Sequence, residues 1–380
     1  MQLSWTKIAT TAKWLPVYLW QRASRRPFSG RGPLHFIIAL ADHFEPAIVR
    51  ENPGAYAARD VQQQRLQKWC KEYPAVVDRW RDSDGRPFCH TYFYPAEQYD
   101  KGLIDMLAEH CHEGWGEIEV HLHHGIKAPD TAENTRRALA NFRDRLVEHG
   151  CLSSAADSTL PRYAFVHGNF TLANSGRCCC GVDEEIQVLA DTGCFADFTL
   201  PSAPTPAQIA KINSLYECSL PLTYRAPHRR GRDLRRGQRP QKFPLIIQGP
   251  LLLSFARQNG HGFLPYIENS AVSSQTPATM VRLKLWQRAR IIVQGRPDWL
   301  FMKLHCHGMD PWEHDAMLGG RMRKFLQELQ EGSAEGRSYR THFVTAREMV
   351  NIALAACDGR EGNPGDFRDY RFQLLRPRRQ

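Results

Sequence analysis

The chain has 380 residues, of which 42% are hydrophobic and 24% charged, and its formal net charge at pH 7 is +10. This composition excludes an intrinsically disordered chain and is sufficient for a large apolar core. The longest mainly apolar run, 243–256, is interrupted by glycine and proline and is too short to cross a bilayer, so we expect no transmembrane helix. Eleven cysteines without a CxxC pair predict reduced thiols, and the lack of a recognisable secretory signal favours a cytoplasmic location.

Residues 1–33 are predicted to form an N-terminal arm that carries tryptophan and tyrosine among lysine and arginine. Aromatic rings beside basic side chains are typical of segments that lie at a membrane interface. The same pattern is typical of an arm that packs on the domain that follows. The sequence leaves both interpretations open, and peripheral membrane contact through the arm is one of them.

Strand and helix patterns alternate along residues 34–357. Strands are predicted over 34–42, 88–94, 118–123, 163–166, 194–200, 244–253, 299–307 and 342–344, and helices over 57–72, 96–112, 131–149, 182–191, 277–292, 323–331 and 345–357. Asp130 with Glu133 and Thr345 with Glu348 match capping boxes, and Thr276 is the expected N-cap of the helix at 277–292. The alternation predicts an α/β fold with parallel strands. Its simplest closure is a (β/α) barrel of seven or eight strands, distorted and with insertions.

Two segments depart from this pattern. Residues 223–243 are crowded with arginine among glycine and proline and have no apolar periodicity, so we expect a mobile, solvated insertion outside the barrel. Residues 358–380 are expected to form a C-terminal tail. The chain has no Walker loop and no GxGxxG motif after a strand, so the sequence gives no support for nucleotide binding.

The candidate site comes from histidines at predicted strand ends. In the stretch EVHLHHG (119–125), strand alternation places Glu119, His121 and His123 on the face opposite the apolar side chains, and His124 follows directly. Two imidazoles on one strand face are a common way to hold zinc or a similar ion. Solvated histidines at a polar strand end are the alternative interpretation.

Three other predicted strands end in similar side chains. Asp42 and His43 lie at the end of the first strand, His167 follows the strand at 163–166, and His305 and His307 lie on the late strand. The carboxyl ends of parallel strands meet at one rim of a barrel, so these residues should converge there. The repetition therefore predicts a divalent metal ion at that rim, with Zn²⁺ as the first choice.

Three motifs on these strands resemble those of the polysaccharide deacetylase family, within the wider glycoside hydrolase/deacetylase barrel superfamily. ADHFEP (41–46) lies where that family has an acidic pair, EVHLHHG where it has metal-binding histidines, and KLHCHG (303–308) where it has a histidine acid. The segments FVHGNF, CFADFTLPSAP and HFVTAREM are also similar, so the resemblance extends over about 34–357. His43 replaces the second acidic residue, the histidines are more closely spaced than usual, and no RxPxG motif is found in the expected place.

The resemblance implies metal-assisted hydrolysis of an N-acetyl or O-acetyl group on a sugar or polysaccharide. It implies Asp42 as general base and His305 or His307 as general acid. The expected metal ligands are His43, His121 and His123, with His124 beside them. The expected substrate contacts are His167, Asn169, Asp197 and Glu268.

Three other functions stay open. A metal-dependent amidohydrolase or phosphoesterase would bind two metal ions, although its HxH motif normally follows the first strand. A glycoside hydrolase without metal would need two well-spaced carboxylates, for which Glu45, Glu119, Asp197 and Glu268 are the candidates. A non-catalytic protein could hold an anionic glycan or nucleic acid through the basic segment, with salt-sensitive affinity.

Overall fold

The computed structural model describes residues 5–378 apart from 27, 31, 53, 127, 157, 177–179, 255–265 and 335–337. The helices within these residues are α1 (Trp5–Ser24), α2 (Arg59–Val77), α3 (Lys101–His110), α4 (Ala132–Glu148), α5 (Glu185–Thr192), α6 (Met280–Ala289), α7 (His314–Leu318), α8 (Gly320–Gly332) and α9 (Ala346–Cys357). The strands are β1 (Leu34–His43), β2 (His90–Pro95), β3 (Gly116–Leu122), β4 (Ser153–Ala155), β5 (Ser158–His167), β6 (Cys194–Asp197), β7 (Leu215–Cys218), β8 (Gly231–Asp233), β9 (Leu245–Ile247), β10 (Leu252–Ser254), β11 (Tyr266–Glu268), β12 (Trp299–Cys306), β13 (Tyr339–Phe343) and β14 (Phe372–Leu374).

Twelve of these strands form one mostly parallel sheet. Nine of them follow the order β12-β1-β2-β3-β5-β6-β9-β7-β8, while β13 also pairs with β1, β4 pairs with β5, and β14 pairs with β4; β10 and β11 pair separately. β1 pairs with β12 along one edge, and with β13 and then β2 along the other. The predicted α/β class and the parallel strands are therefore confirmed. The path of hydrogen-bonded strands that the structure describes is open between β12 and β8, so closure into a barrel stays a prediction.

Alternate residues of β1 face two different cores, because successive side chains of a strand point to opposite faces. Ile38 and Leu40 pack in the core that α2, α3, α4, α5 and α8 cover, which we call the outer face. Ile37 and Ala39 pack in the core that α1 and α9 cover, which we call the inner face. Each polar residue at a strand end therefore belongs to one of two separate environments.

Helix α9 crosses the inner face near the amino-terminal ends of the strands. It begins at the predicted capping box of Thr345 and Glu348. The Thr345 hydroxyl donates to Glu117 near the start of β3, and the backbone N–H of Ala346 donates to Thr91 near the start of β2, both at 2.8 Å. All twelve residues of α9 are buried. Helix α9 thus fills the inner face at the amino-terminal ends of the strands, and the polar residues lie at the carboxyl ends.

Two predicted helix starts are wrong. α4 begins after Thr131, whose hydroxyl accepts the capping hydrogen bond, because the carboxylate of Asp130 is used instead by His124. α6 begins after Thr279 rather than Thr276, whose hydroxyl donates to a backbone carbonyl in the preceding turn. In both cases a nearby polar group competes for the expected cap.

The basic segment at 223–243 is partly built into the sheet. Its strand β8 pairs antiparallel with β7, and His228 and Leu234 are buried. This differs from the solvated insertion that the composition predicts, since a few buried side chains hold a largely polar segment in place. In the C-terminal tail, β14 likewise pairs with β4.

The N-terminal helix α1 packs on the domain through one face. Trp14 and Tyr18 are buried in the inner core, and the Tyr18 hydroxyl donates to the carbonyl of Leu253 at 3.2 Å. Packing of the arm, one of its two expected roles, is therefore observed. Among the helices that the structure describes, none is both long enough and apolar enough to cross a membrane.

Candidate metal centre and cleft

His43, Glu45 and His121 form a cluster on the inner face at the carboxyl ends of β1 and β3. One ligand atom from each of the three residues lies within 4.8 Å of the other two. The His121 Nε2 atom is 3.4 Å from Glu45 Oε1, close to the separation of about 3.4 Å expected for two tetrahedral zinc ligands. Two imidazoles and one carboxylate form a ligand set typical of catalytic zinc, which leaves a coordination position open.

Hydrogen bonding prepares His121 to bind a metal ion. Its Nδ1 atom lies 2.9 Å from the carbonyl of Val166 and must donate to it, so the lone pair of a neutral ring is on Nε2. His121 Nε2 and His43 Nδ1 are buried and have no hydrogen-bond partner among the described residues. Buried nitrogens of this kind are costly unless a ligand satisfies them. These residues therefore fit a divalent metal ion.

Electrostatics favour the ligand forms of the cluster. Burial, assisted by His307 and His121, lowers the pKa of His43 well below its ordinary value, so its ring is neutral at pH 7. Burial alone would raise the pKa of Glu45, but His121 and His123 outweigh it and lower that pKa to about 2. A neutral imidazole next to an ionised carboxylate is the protonation state that metal binding needs.

A cleft of about 530 Å³ opens above the cluster, and four of the expected site residues line it: His123, Asn169, His305 and His307. The His307 ring centroid lies 4.7 Å from that of His43, whereas the His305 ring is 6.5 Å away. Burial lowers the pKa of both late-strand histidines. Both rings are thus neutral at pH 7, and His307 is the closer to the metal cluster.

His123 lies just beyond the end of β3 and connects the cluster with the open cleft. Its Nδ1 atom donates to Glu97 at 2.7 Å, and its Nε2 atom is 3.7 Å from Glu45. Burial opposes protonation of the ring, but Glu97 and Glu45 outweigh it and raise the pKa of His123. The two carboxylates therefore favour the protonated form of His123 at the edge of the centre.

Phe170 covers the centre from the segment after β5. Its ring lies 4.9 Å from that of His43 and 6.2 Å from that of His305. Its backbone φ of 58° is in the left-handed region, which a bulky side chain rarely adopts. Backbone strain of this kind persists where the surroundings impose it and is frequent at functional sites.

The structure separates Asp42, the expected general base, from His43. Asp42 lies on the outer face, where its carboxylate accepts a hydrogen bond from the backbone N–H of Gly308 at 2.7 Å and lies 3.7 Å from His90. With Cys306 these side chains form a second buried group of potential ligands. Burial raises the pKa of Asp42 to about 7. The physical reason is strand alternation, which sends neighbouring side chains to opposite faces.

His124 and His167 form a third cluster, with Glu185, apart from His121. His124 bridges two carboxylates, with Nε2 3.0 Å from Glu185 and Nδ1 3.0 Å from Asp130. His124 thus belongs to a charge-balanced network, and it is not part of the cluster of His43, Glu45 and His121. His167 is fully buried here, so it does not line the cleft as a substrate contact.

The remaining carboxylates singled out from the sequence are engaged elsewhere. Asp197 accepts from Thr199, and Glu268 forms a buried ion pair with Arg282 at 2.6 Å. Glu119 accepts a hydrogen bond from a backbone N–H of β5. The structure does not bring Asp197 or Glu268 to the cleft. Of the four carboxylates considered for a glycoside hydrolase, Glu45 is the one that lines the cleft.

Sequence reasoning missed two acidic residues of the site. Glu45 was considered as a glycosidase carboxylate but not as a metal ligand, although it lies two residues after His43. Glu97, the partner of His123, belongs to a 3₁₀ turn after β2 and has no local signal. The spacing HxE in ADHFEP is the signal that could have found Glu45.

Comparison with protein-family models finds no family that matches this chain, and no curated protein matches it.

Proposed function

We propose that the protein is a metal-dependent hydrolase that removes acetyl groups from a sugar or polysaccharide, on a distorted deacetylase-like barrel. The observation that carries the proposal is the cluster of His43, Glu45 and His121 beneath an open cleft. The cluster has the donors of a catalytic zinc site, and the cleft admits a substrate of several polar groups.

In this proposal His43, Glu45 and His121 hold a divalent ion, which would polarise the acetyl carbonyl and lower the pKa of water. His307 carries the proton, because its ring is the nearer of the two late-strand histidines to His43. It takes a proton from the attacking water and returns it to the leaving amine or alcohol. His123, oriented by Glu97, donates a hydrogen bond towards a sugar oxygen in the cleft.

The rim of the cleft supports a carbohydrate substrate. Tyr56 lines the cleft and is 63% exposed, and the equally exposed Trp312 ring lies against Arg50, another lining residue. Exposed aromatic rings present flat apolar surfaces with polar edges, which suit the faces of a sugar ring. The polar neighbours Glu97 and Asn169 offer partners for sugar hydroxyl groups.

The test combines zinc analysis with acetate release from acetylated oligosaccharides. His43→Ala and His121→Ala should each lose both zinc and activity. His307→Ala should keep zinc and lose about 10²- to 10⁴-fold in turnover, while His305→Ala should be milder. His35→Ala is the matched control, since it removes an imidazole from the other end of β1, roughly 26 Å away.

Different outcomes separate the rival functions. Full zinc content in both His43→Ala and His121→Ala would contradict the proposed centre. Two zinc ions bound at the cleft would favour an amidohydrolase. Salt-sensitive polyanion binding by a protein that takes up no metal would favour the non-catalytic alternative.

A further inference from the structure

A second concave surface lies between the end of α1, helix α6 and the amino-terminal ends of β1 and β12. It comprises a cavity of about 830 Å³ and an adjoining one of about 570 Å³. Seven basic side chains line the two cavities, and we call this surface the basic groove: Arg22, Arg25, Arg26, Arg235, Lys284, Arg288 and Arg290.

The charge of the basic groove is not compensated within it. Asp233 is the one carboxylate among the described residues that line it, and Asp233 is already paired with Lys211. Arg25 donates to the backbone carbonyls of Ala289 and Asn213, at 2.6 and 2.9 Å, rather than to an acid. Burial lowers the pKa of Arg25 to about 10, and the group stays charged at pH 7. The groove therefore attracts anions.

Exposed apolar side chains lie beside these cations. On α1, Leu19 is 54% exposed and Trp20 67%, although the opposite face of the helix is packed on the domain. On α6, the exposed Val281 shares a helix face with Lys284 and Arg288, which follow three and seven residues later. Aliphatic side chains such as Leu19 and Val281 offer a soluble polyanion no surface for stacking, whereas a lipid headgroup region accepts both basic and apolar residues.

The groove and the catalytic cleft lie at opposite ends of the strands. Leu34 and Leu300, near the starts of β1 and β12, line the groove, whereas His43 is the last residue of β1 and His307 directly follows β12. The nine steps from Leu34 to His43 span roughly 30 Å. A surface bound at the groove would leave the cleft open on the far side.

We propose that the basic groove and the exposed face of α1 dock the protein on an anionic phospholipid bilayer, with Leu19 and Trp20 in the headgroup region. Phosphate groups then meet the arginines, and the cleft faces the aqueous phase. This inference is independent of the proposed hydrolase activity, because it concerns a different surface and its test needs no substrate.

The test is sedimentation of the full chain with vesicles of phosphatidylcholine alone or mixed with phosphatidylglycerol. Binding should require phosphatidylglycerol and weaken with salt. Arg26→Gln/Arg288→Gln should bind about 25-fold more weakly, since each basic side chain near an anionic surface contributes about fivefold. Trp20→Ala should also weaken binding, and the blue shift of tryptophan fluorescence on vesicle addition should diminish.

The matched control is Lys71→Gln/Arg323→Gln, which removes the same charge from exposed positions on α2 and α8. It should bind vesicles like the unmodified chain, and circular dichroism should show that all variants are folded. Equal loss in the control would mean that net charge alone drives binding, and the groove would not be the docking site. Absence of vesicle binding, or groove-dependent binding of heparin or inorganic phosphate in its place, would also overturn the proposal.

Discussion

Replacing Arg347 by methionine should strongly destabilise the fold, because Arg347 neutralises a buried carboxylate at the base of β3. Its guanidinium donates to both oxygens of Glu117, at 2.7 and 3.1 Å, and to the carbonyl of Phe372 at 2.8 Å. Arg347 is 2% exposed and Glu117 3%. The substitution preserves most of the side-chain volume, so the loss of charge is its main effect.

The expected magnitude follows from the pKa of Glu117. Burial alone would raise that pKa, but Arg347 and Arg378 outweigh burial and lower it from 4.5 to about 2. A change of this size corresponds to about 3 kcal/mol of stability at neutral pH. Loss of one partner of a buried ion pair typically costs about 3–5 kcal/mol, a range that agrees with the value from the pKa of Glu117. The contribution is present above pH 4.5 and disappears as the pH falls towards 2.

The assay is urea unfolding followed by circular dichroism, at neutral pH and at about pH 3. Arg347→Met should be about 3 kcal/mol less stable at neutral pH, and the difference should shrink in acid. Arg347→Met/Glu117→Gln should recover part of the loss, because it removes both buried charges. Arg378, the other cation near Glu117, still has the carboxylate of Glu348 at 3.5 Å. A loss below about 1 kcal/mol, or a double variant with simply additive losses, would refute the reasoning.

Two further substitutions test the packing of single buried positions, His228 and Gly249. Burial lowers the pKa of His228 to about 3, so below about pH 6.5 the unfolded chain binds a proton that the folded chain does not. The free energy of unfolding therefore falls by about 1.4 kcal/mol per pH unit as the pH decreases from 6.5 towards 3. His228→Leu should make urea stability less steeply pH-dependent there, and an unchanged slope would show that His228 is not buried as a neutral ring. A β-carbon on Gly249 would clash with the backbone oxygen of Lys303, so Gly249→Ala should cost about 1–3 kcal/mol in urea unfolding. Gly320→Ala, which has open space around it, should leave the stability unchanged.

Strand alternation was the strongest source of correct expectations. It separated His121 from the apolar side chains of β3, and the structure has His121 on the inner face and Val120 in the outer core. The rule that parallel strands end at one edge predicted that His43 would approach His121, and their ring centroids lie 4.8 Å apart. Local periodicity and a single topological rule were sufficient for this pair.

Strand alternation did not show which face of β1 carries Asp42, for a physical reason. β1 is apolar on both faces, since each face packs against its own core, so its sequence lacks the polar contrast that marks the two faces of β3. The strand-end rule therefore placed Asp42 at the metal rim together with His43, and the resemblance gave Asp42 the role of general base. The acidic side chain that reaches the centre is that of Glu45, two residues after His43.

The separation of His124 from His121 depends on distant parts of the chain. His124 follows the end of β3, where alternation no longer fixes the direction of a side chain. Its partners are Asp130, from the following loop, and Glu185, from the first turn of α5. Tertiary contacts of this kind leave no local periodic pattern, so a run of adjacent histidines does not reveal that it serves two clusters.

Helix α9 explains why the candidate metal centre lies at the carboxyl ends of the strands. Its last six residues are apolar on every side, a pattern typical of a helix buried all round, and the helix fills the inner face near Thr91 and Glu117. The charged first turn is accommodated there by the pair of Arg347 and Glu117. Polar side chains on the inner face can therefore remain near solvent at the opposite strand ends, beyond the helix. His43, the last residue of β1, is buried at this end, and Glu45 beside it lines the open cleft.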